Sequence, residues 1–367
     1  MKKIFLIFLY LSINPTICNS NFILLSIIKK IIGENKKNLV IGVIDRLSWI
    51  QVKPFFISYI KAHFKNCDCV IFYRGIKRKT LNRIRSLGII TFKIPKRYKR
   101  MKINNVRYKI YEDYLSDKLD KYNVVLHVDL RDTYFQKDFF KIYKNKKHFI
   151  GLALEDGNIT DNISSSWMKN QYGIEIYEEL KNKTIICSGT IWGTVDKFFE
   201  LVKNIWKEIE KKSPYKYSIH DQTAEAYLIY HKKMFNDCII TSDIYSGPVM
   251  TVGLSNKNFS YDPEDNLLNS KGDIAAVIHQ YDRKPNMVEI VNKKFINISE
   301  NSILIDLIAN KNNEEDYIFL KYIICIIIII FIIIFFSRRI YLKQKELKKI
   351  IKSKEKRKGY KKVNILK

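Results

Sequence analysis

Between residues 38 and 209 the apolar side chains change period repeatedly, from unbroken runs of strand length to stretches spaced as on a helix. That alternation is the strongest constraint on the fold. It predicts strands over 38–44, 70–73, 89–94, 124–128, 148–154 and 184–192, and helices over 49–64, 79–87, 107–119 and 195–209. The last helix has apolar residues at 195, 198, 199, 202, 205, 206 and 209, with Thr194 placed to cap it and Asp196 at its positive end. Strands that are apolar throughout are buried on both faces. The expected architecture is therefore α/β, a mostly parallel sheet with helices on both faces.

Composition sets the scale. A chain of 367 residues, 47% hydrophobic and 28% charged, with 23 Tyr and 21 Phe, has ample material for a core and is excluded from the disordered class. With 13 Gly and 7 Pro it is neither collagen-like nor a Pro-rich linker. The formal charge of +28 would point to nucleic acid if it were evenly spread, but it is not. Residues 337–367 hold 14 Lys or Arg against Glu346 and Glu355, which puts +12 in the tail and leaves +16 elsewhere. That remainder suits an anionic substrate such as a nucleotide diphosphate; it also accompanies the Ile, Lys and Asn richness of an AT-biased genome. Nucleic acid is not an expected partner.

Two apolar segments set the expected compartment. Met1-Lys2-Lys3, the run Ile4–Ile13 and small residues at Cys18 and Ser20 match a secretory signal over 1–20. An uncleaved anchor would have to continue to Ile28 through Asn14, Pro15, Asn19, Ser20 and Asn21. Further on, Tyr322–Phe336 is 15 residues without a charge, and Tyr317–Leu320 extends it past Lys321. About 20 helical residues span ~30 Å, the thickness of a bilayer core, so 317–336 is expected to be one C-terminal transmembrane helix. Arg338-Arg339 and the tail 337–367 then mark the cytosolic side, where they would attract anionic lipids. The expected order is signal 1–20, connector 21–37, lumenal domain 38–300, membrane-proximal stem 301–316, spanning helix 317–336 and cytosolic tail 337–367. In an oxidising lumen, Cys67 or Cys69 can pair with Cys187 or Cys238, and sequons stand at Asn158, Asn162, Asn182, Asn258 and Asn297.

In an open α/β sheet the ligand sits at the carboxyl ends of the strands. The strand Val124–Val128 ends in Asp129-Leu130-Arg131-Asp132. An acidic pair leaving a buried strand stays ionised either through a hydrogen-bonded turn or by holding a cation, and oxygen ligands suit Mn²⁺ or Mg²⁺ bridging a diphosphate. A strand continued to 132 would point Asp129 and Asp132 to opposite faces; both can reach one ion only if the chain turns at Leu130.

This context resembles the nucleotide-sugar glycosyltransferases of the GT-A fold, with a D-x-D motif after the nucleotide-binding half, and in particular the glycogenin-like retaining family. The resemblance covers residues 38–290. Val106–Tyr111 lies where these enzymes have an Arg-bearing helix entering the donor site. Ile186–Gly193 matches the strand and turn under the donor sugar, His220-Asp221-Gln222 a D-Q pair opening a helix, and Val277–Pro285 a late His motif. The resemblance implies that Asp129, Asp132 and His279 hold the metal, that Arg107, Arg131 and Lys284 grip the diphosphate, and that Ser188 and Gly189 lie under the sugar. Asp221 and Gln222 would meet the transferred sugar, with Gln222 beneath the anomeric carbon in a retaining reaction.

This chain departs from the pattern in three places. Arg131 stands where the second carboxylate is usual, Gln280 follows His279 in place of Gly, and Lys284 is displaced by one position. The expected activity is transfer of a sugar from a nucleotide-sugar to a glycan, protein or lipid. The alternative is a non-catalytic GT-A-like surface protein that binds glycans or protein partners. His127, alternating within its strand, reads as structural, and Glu155 and Asp156 stand where an acceptor could be touched.

Overall fold

The computed structural model describes residues 36–160, 163–212, 220–298, 335 and 337–345. The chain divides into two units, Met1–Ser299 and Glu300–Lys367. Of the second, apart from Phe335, only a helical stretch over 337–345, exposed throughout, is described. Among the described residues no helix is long and apolar enough to cross a membrane. The expected signal 1–20, the stem 301–316 and all of the expected span 317–336 except Phe335 lie outside the described residues.

The first unit begins as the periodicity predicts: β1 (Lys37–Asp45), α1 (Trp49–Lys61), β2 (Cys67–Arg74), α2 (Arg78–Ser86), β3 (Ile90–Lys93), α3 (Ile103–Leu115) and β4 (Tyr122–Val128). Helix α3 ends short of the expected 119, and at its C-cap the Ser116 hydroxyl donates back to the Asp113 carbonyl at 3.0 Å. Then follow β5 (Thr133–Phe135), β6 (Ile150–Asn158), α4 (Ser164–Tyr172), α5 (Ile174–Leu180), β7 (Thr184–Thr194), α6 (Val195–Lys211) and α7 (Asp221–Ala226). The series closes with β8 (Ile239–Ser242), β9 (Val249–Thr251), β10 (Ser260–Tyr261), β11 (Leu267–Leu268), β12 (Val277–His279) and α8 (Pro285–Val291).

The main sheet has the order β3-β2-β1-β4-β7-β6-β8. All its pairings are parallel except those that β7 makes with β4 and β6, so one reversed strand sits in an otherwise parallel sheet. Strand β1 is central and covered on both faces, which is why Leu39, Val40 and Ile41 are all apolar and fully buried. Helix α6 buries Val195, Phe198, Val202, Ile205, Trp206 and Ile209 on one stripe, each worth about 1.5–3 kcal/mol of burial. Thr194 does occupy its N-cap position, but its hydroxyl makes no capping bond and lies 3.5 Å from the Phe149 carbonyl.

A second sheet, β5-β12-β9, is built of strands three residues long; only β12 is foreshadowed in the sequence, by the apolar run 274–278. The buried Lys53 of α1 ties the end of the unit down by donating to the carbonyls of Ile296 at 2.6 Å and Ile298 at 3.0 Å. Among the described residues no disulfide forms: Cys67, Cys69, Cys187 and Cys238 are free thiols. Cys187 instead faces His279.

Candidate active site

Strand β1 pairs with β2 on one side and β4 on the other, so the chain reverses its direction of travel across the sheet at β1. A crevice opens at the carboxyl ends of strands wherever this happens. Asp129 is the first residue beyond β4 there. Its N–H donates to the Gly189 carbonyl at 2.8 Å, and the chain then bends through Leu130–Asp132, which is the turn that a shared site for the two carboxylates requires.

The third group arrives by strand pairing. In the small sheet β12 runs antiparallel to β5 with His279 opposite Thr133, and the Gln280 N–H donates to the Asp132 carbonyl at 2.8 Å. As a result Asp129, Asp132 and His279 present one ligand atom each within 4.8 Å of one another. His279 Nε2 lies 3.5 Å from Asp132 Oδ1 and 4.0 Å from Asp129 Oδ2, too far for a strong hydrogen bond, and this buried nitrogen has no hydrogen-bond partner. On the other edge of the ring, Nδ1 sits 3.4 Å from Cys187 Sγ. Burial alone would lower the His279 pKa, but Asp132 and Asp129 hold it above its ordinary value. Asp132 shows the reciprocal effect: burial works against its ionisation, and His279 nonetheless holds it below the ordinary carboxylate range. Burial raises Asp129, assisted by the negative charge of Asp132 and opposed by Arg107.

Arg107 is the hub behind this cluster. One guanidinium nitrogen donates to Asp129 Oδ1 at 2.5 Å; the other donates to Asp221 Oδ2 at 2.5 Å and to the Ser188 carbonyl at 2.8 Å. The residue is 1% exposed. Burial would depress its pKa, but Tyr108, Asp129 and Asp221 keep it well above its ordinary value, so it stays charged. An arginine engaged in this way orients two carboxylates from inside.

The other expected residues divide between this cluster and its rim. Asp221 opens α7, buried, and also accepts from the Tyr108 hydroxyl at 3.2 Å; Gln222 follows it, half-buried. Ser188 and Gly189 line the cluster from β7. Arg131 is on the rim, paired with Asp282 at 2.7 Å, and Lys284 donates to the Ser255 carbonyl, so both expected phosphate-binding cations are engaged within the protein. His220 occupies the N-cap position of α7 without a side-chain cap and stacks on Trp167 at 4.0 Å. His127 is fully buried, with Nδ1 3.1 Å from the Tyr111 hydroxyl and Nε2 4.0 Å from Asp129 Oδ1. Glu155 is tied up by the Gln280 amide at 3.1 Å and Asp156 by the Tyr245 hydroxyl at 2.8 Å.

Two further groups adjoin the site. Cys187, a candidate disulfide partner by sequence, is the neighbour of the His279 ring. Glu225, one helical turn beyond Asp221, is fully buried with both carboxylate oxygens unpartnered, and burial next to Asp221 pushes its pKa up to about 8. The spacing Asp221-x-x-x-Glu225 on a short helix was the available signal.

Fold and site together define an open α/β protein with a two-carboxylate, one-histidine cluster at its topological switch point. No protein-family model matches the chain, and no curated protein does either. Among solved structures it is similar to the galactosyltransferase LgtC, solved in complex with donor and acceptor sugar analogues, at 13% identity over 72% of this chain and 98% of that one, with a TM-score of 0.45.

Proposed function

We propose that the protein is a membrane-anchored glycosyltransferase of the secretory pathway, moving a sugar from a nucleotide-sugar to a glycan, protein or lipid acceptor. The carrying observation is the convergence of Asp129 and Asp132, from the turn after β4, with His279, far along the chain, at the switch point. Two carboxylates and an imidazole with an unpartnered Nε2 suit a divalent cation, and the nitrogen favours Mn²⁺ over Mg²⁺. Ligand atoms around such an octahedral ion at ~2.1 Å stand about 3–4 Å apart, so the observed spacing needs only a small contraction. When bound, the cation neutralises charge on the departing diphosphate.

The chain's own residues supply the rest. Arg107 fixes Asp129 for the cation and Asp221 for the sugar with one guanidinium. Gly189 keeps the floor of the site low enough for the His279 ring. Asp221 and Gln222 face the transferred sugar, and attack and departure on one face give retention. The apolar segments 1–20 and 317–336 support a lumenal domain of a single-pass type I protein, in the Golgi, the endoplasmic reticulum or at the cell surface.

The test is a donor panel. Purified protein with or without Mn²⁺ is offered each sugar nucleotide, and nucleotide release is scored. Mn²⁺-dependent release with one donor, abolished in Asp129→Asn, supports the proposal. Binding without release with every donor and acceptor favours the non-catalytic reading, for which the observation is that Arg107 already occupies both Asp129 and Asp221.

A further inference from the structure

Behind the His279 ring, on the side away from the two aspartates, lies a wall of polar groups that includes one of this chain's departures from the glycosyltransferase pattern. Gln280, where that pattern has Gly, holds a left-handed φ of 62°, uncommon without glycine, and is 5% exposed. Room is made for it: a Cβ on residue 253 would run into the Gln280 side-chain oxygen, and residue 253 is a glycine. The amide is held at both ends. Arg283 donates to Gln280 Oε1 at 2.9 Å, while Gln280 Nε2 donates to Glu155 Oε1 at 3.1 Å and lies 3.9 Å from Cys187 Sγ. Glu155 and Cys187 are both buried, and beyond the sulfur comes the ring, with Nδ1 at 3.4 Å. A buried side chain in the left-handed region with both amide atoms engaged is a conformation that its surroundings must hold in place.

These contacts run in one direction. A guanidinium only donates, so the Gln280 oxygen faces Arg283 and its NH2 group faces Glu155. A carboxylate only accepts, so the Cys187 S–H points to Glu155. Burial raises the Cys187 thiol well above its ordinary pKa, and Glu155 raises it further, by its charge and by accepting a hydrogen bond from the S–H. The sulfur then turns its lone pairs to the ring, where the matching partner is an N–H on Nδ1. In a neutral imidazole a proton on Nδ1 leaves Nε2 bare. We infer that Arg283, Gln280, Glu155 and Cys187 fix His279 as the tautomer with its proton on Nδ1, which turns a bare Nε2 towards Asp129 and Asp132. They are positioning residues that act through the ring. That buried Nε2 has no hydrogen-bond partner among the described residues, as befits an atom kept for a ligand. On the reading proposed above, the ligand is the divalent cation, and outer partners of this kind are worth about 10–100-fold in metal affinity. The tautomer itself does not depend on that reading.

The full-length chain, labelled with nitrogen-15 histidine and free of divalent ions, is studied by NMR at an alkaline pH where the imidazoles are neutral. The chain has six histidines, and the His279 ring is identified by its loss in His279→Asn. Two-bond nitrogen–proton correlations then show a single tautomer, protonated on Nδ1. Cys187→Ala removes the acceptor, and both tautomers appear. Cys187→Ser, whose hydroxyl can donate to Glu155 and accept from Nδ1, restores the single one. Gln280→Gly relieves the left-handed backbone, so it stays folded, yet it frees Glu155 and mixes the tautomers. In calorimetric titrations with Mn²⁺, Cys187→Ala and Gln280→Gly lose about tenfold or more in affinity, and Cys187→Ser less than about threefold. A wild-type ring protonated on Nε2, an unmixed tautomer or undiminished Mn²⁺ binding in Cys187→Ala, or a Cys187→Ser variant no better than Cys187→Ala overturns the inference. Wild-type protein that shows the Nδ1-protonated ring but binds no Mn²⁺ upholds it and refutes the cation reading instead.

Discussion

A Cβ on residue 189 would lie 2.4 Å from Cε1 of the His279 ring and 2.8 Å from its Nε2. The imidazole therefore occupies the space that any side chain at 189 would need, and the glycine on β7 sets how closely β12 can bring its histidine to the two aspartates.

Gly189→Ala is expected to push the ring off the cluster. Overpacking costs about 1–3 kcal/mol of stability. Mn²⁺ affinity should fall by more than the stability loss accounts for, measured on protein that remains folded by circular dichroism. Unchanged Mn²⁺ binding in a folded variant would show that His279 is not a ligand.

Arg107→Ala and Asp129→Asn should differ in kind. Removing the buried guanidinium leaves Asp129 and Asp221 without their shared partner, and breaking such a pair costs about 3–5 kcal/mol, read in urea unfolding. Asp129→Asn keeps shape and leaves Arg107 its bonds to Asp221 and Ser188. It should unfold at a higher urea concentration than Arg107→Ala while losing Mn²⁺-dependent nucleotide binding.

Gln222→Ala tests the chemistry. A group beside the anomeric carbon acts as charge develops, so turnover should drop at least about tenfold with donor affinity nearly unchanged. Parallel losses in both would make Gln222 a simple binding residue.

Glu225 predicts a pH dependence of stability. Its folded pKa of about 8 lies above the ordinary 4.5 because of burial and the nearby Asp221. Below the unfolded value both states hold the proton. Between the two values the unfolded chain releases it while the folded chain keeps it, so stability declines as pH rises, by at most about 1.4 kcal/mol per pH unit from this group. Glu225→Gln should flatten that part of the profile and stabilise the protein near pH 8; an unaltered slope would mean that the buried carboxyl does not control it.

Membrane topology can be read in sealed microsomes. A tag after Lys367 should be open to added protease while any glycosylated sequon, such as Asn182 or Asn258, stays protected. A protected tag contradicts the type I arrangement.

The elements whose burial is written in their own period are legible in the sequence. Strands β1 and β4 are apolar throughout because both faces are covered, and α6 carries its stripe at helical spacing. Asp129 stands out because it follows a buried strand, whereas His279 as a ligand candidate comes from the resemblance of Val277–Pro285 to a late His motif. Tertiary structure alone decided which of them meet. Periodicity records how deeply a residue is buried, but not against what, since pairing joins residues far apart in the chain. The reversal of β7, the register that sets His279 opposite Thr133, and the inward turn of Arg107 are all facts of pairing. So is the chain of contacts behind the His279 ring, whose members come from β6, β7 and the turn after β12. Nothing in the local pattern of Glu155 or Cys187 marks it as a neighbour of that ring; only the folded sheet brings them to one place.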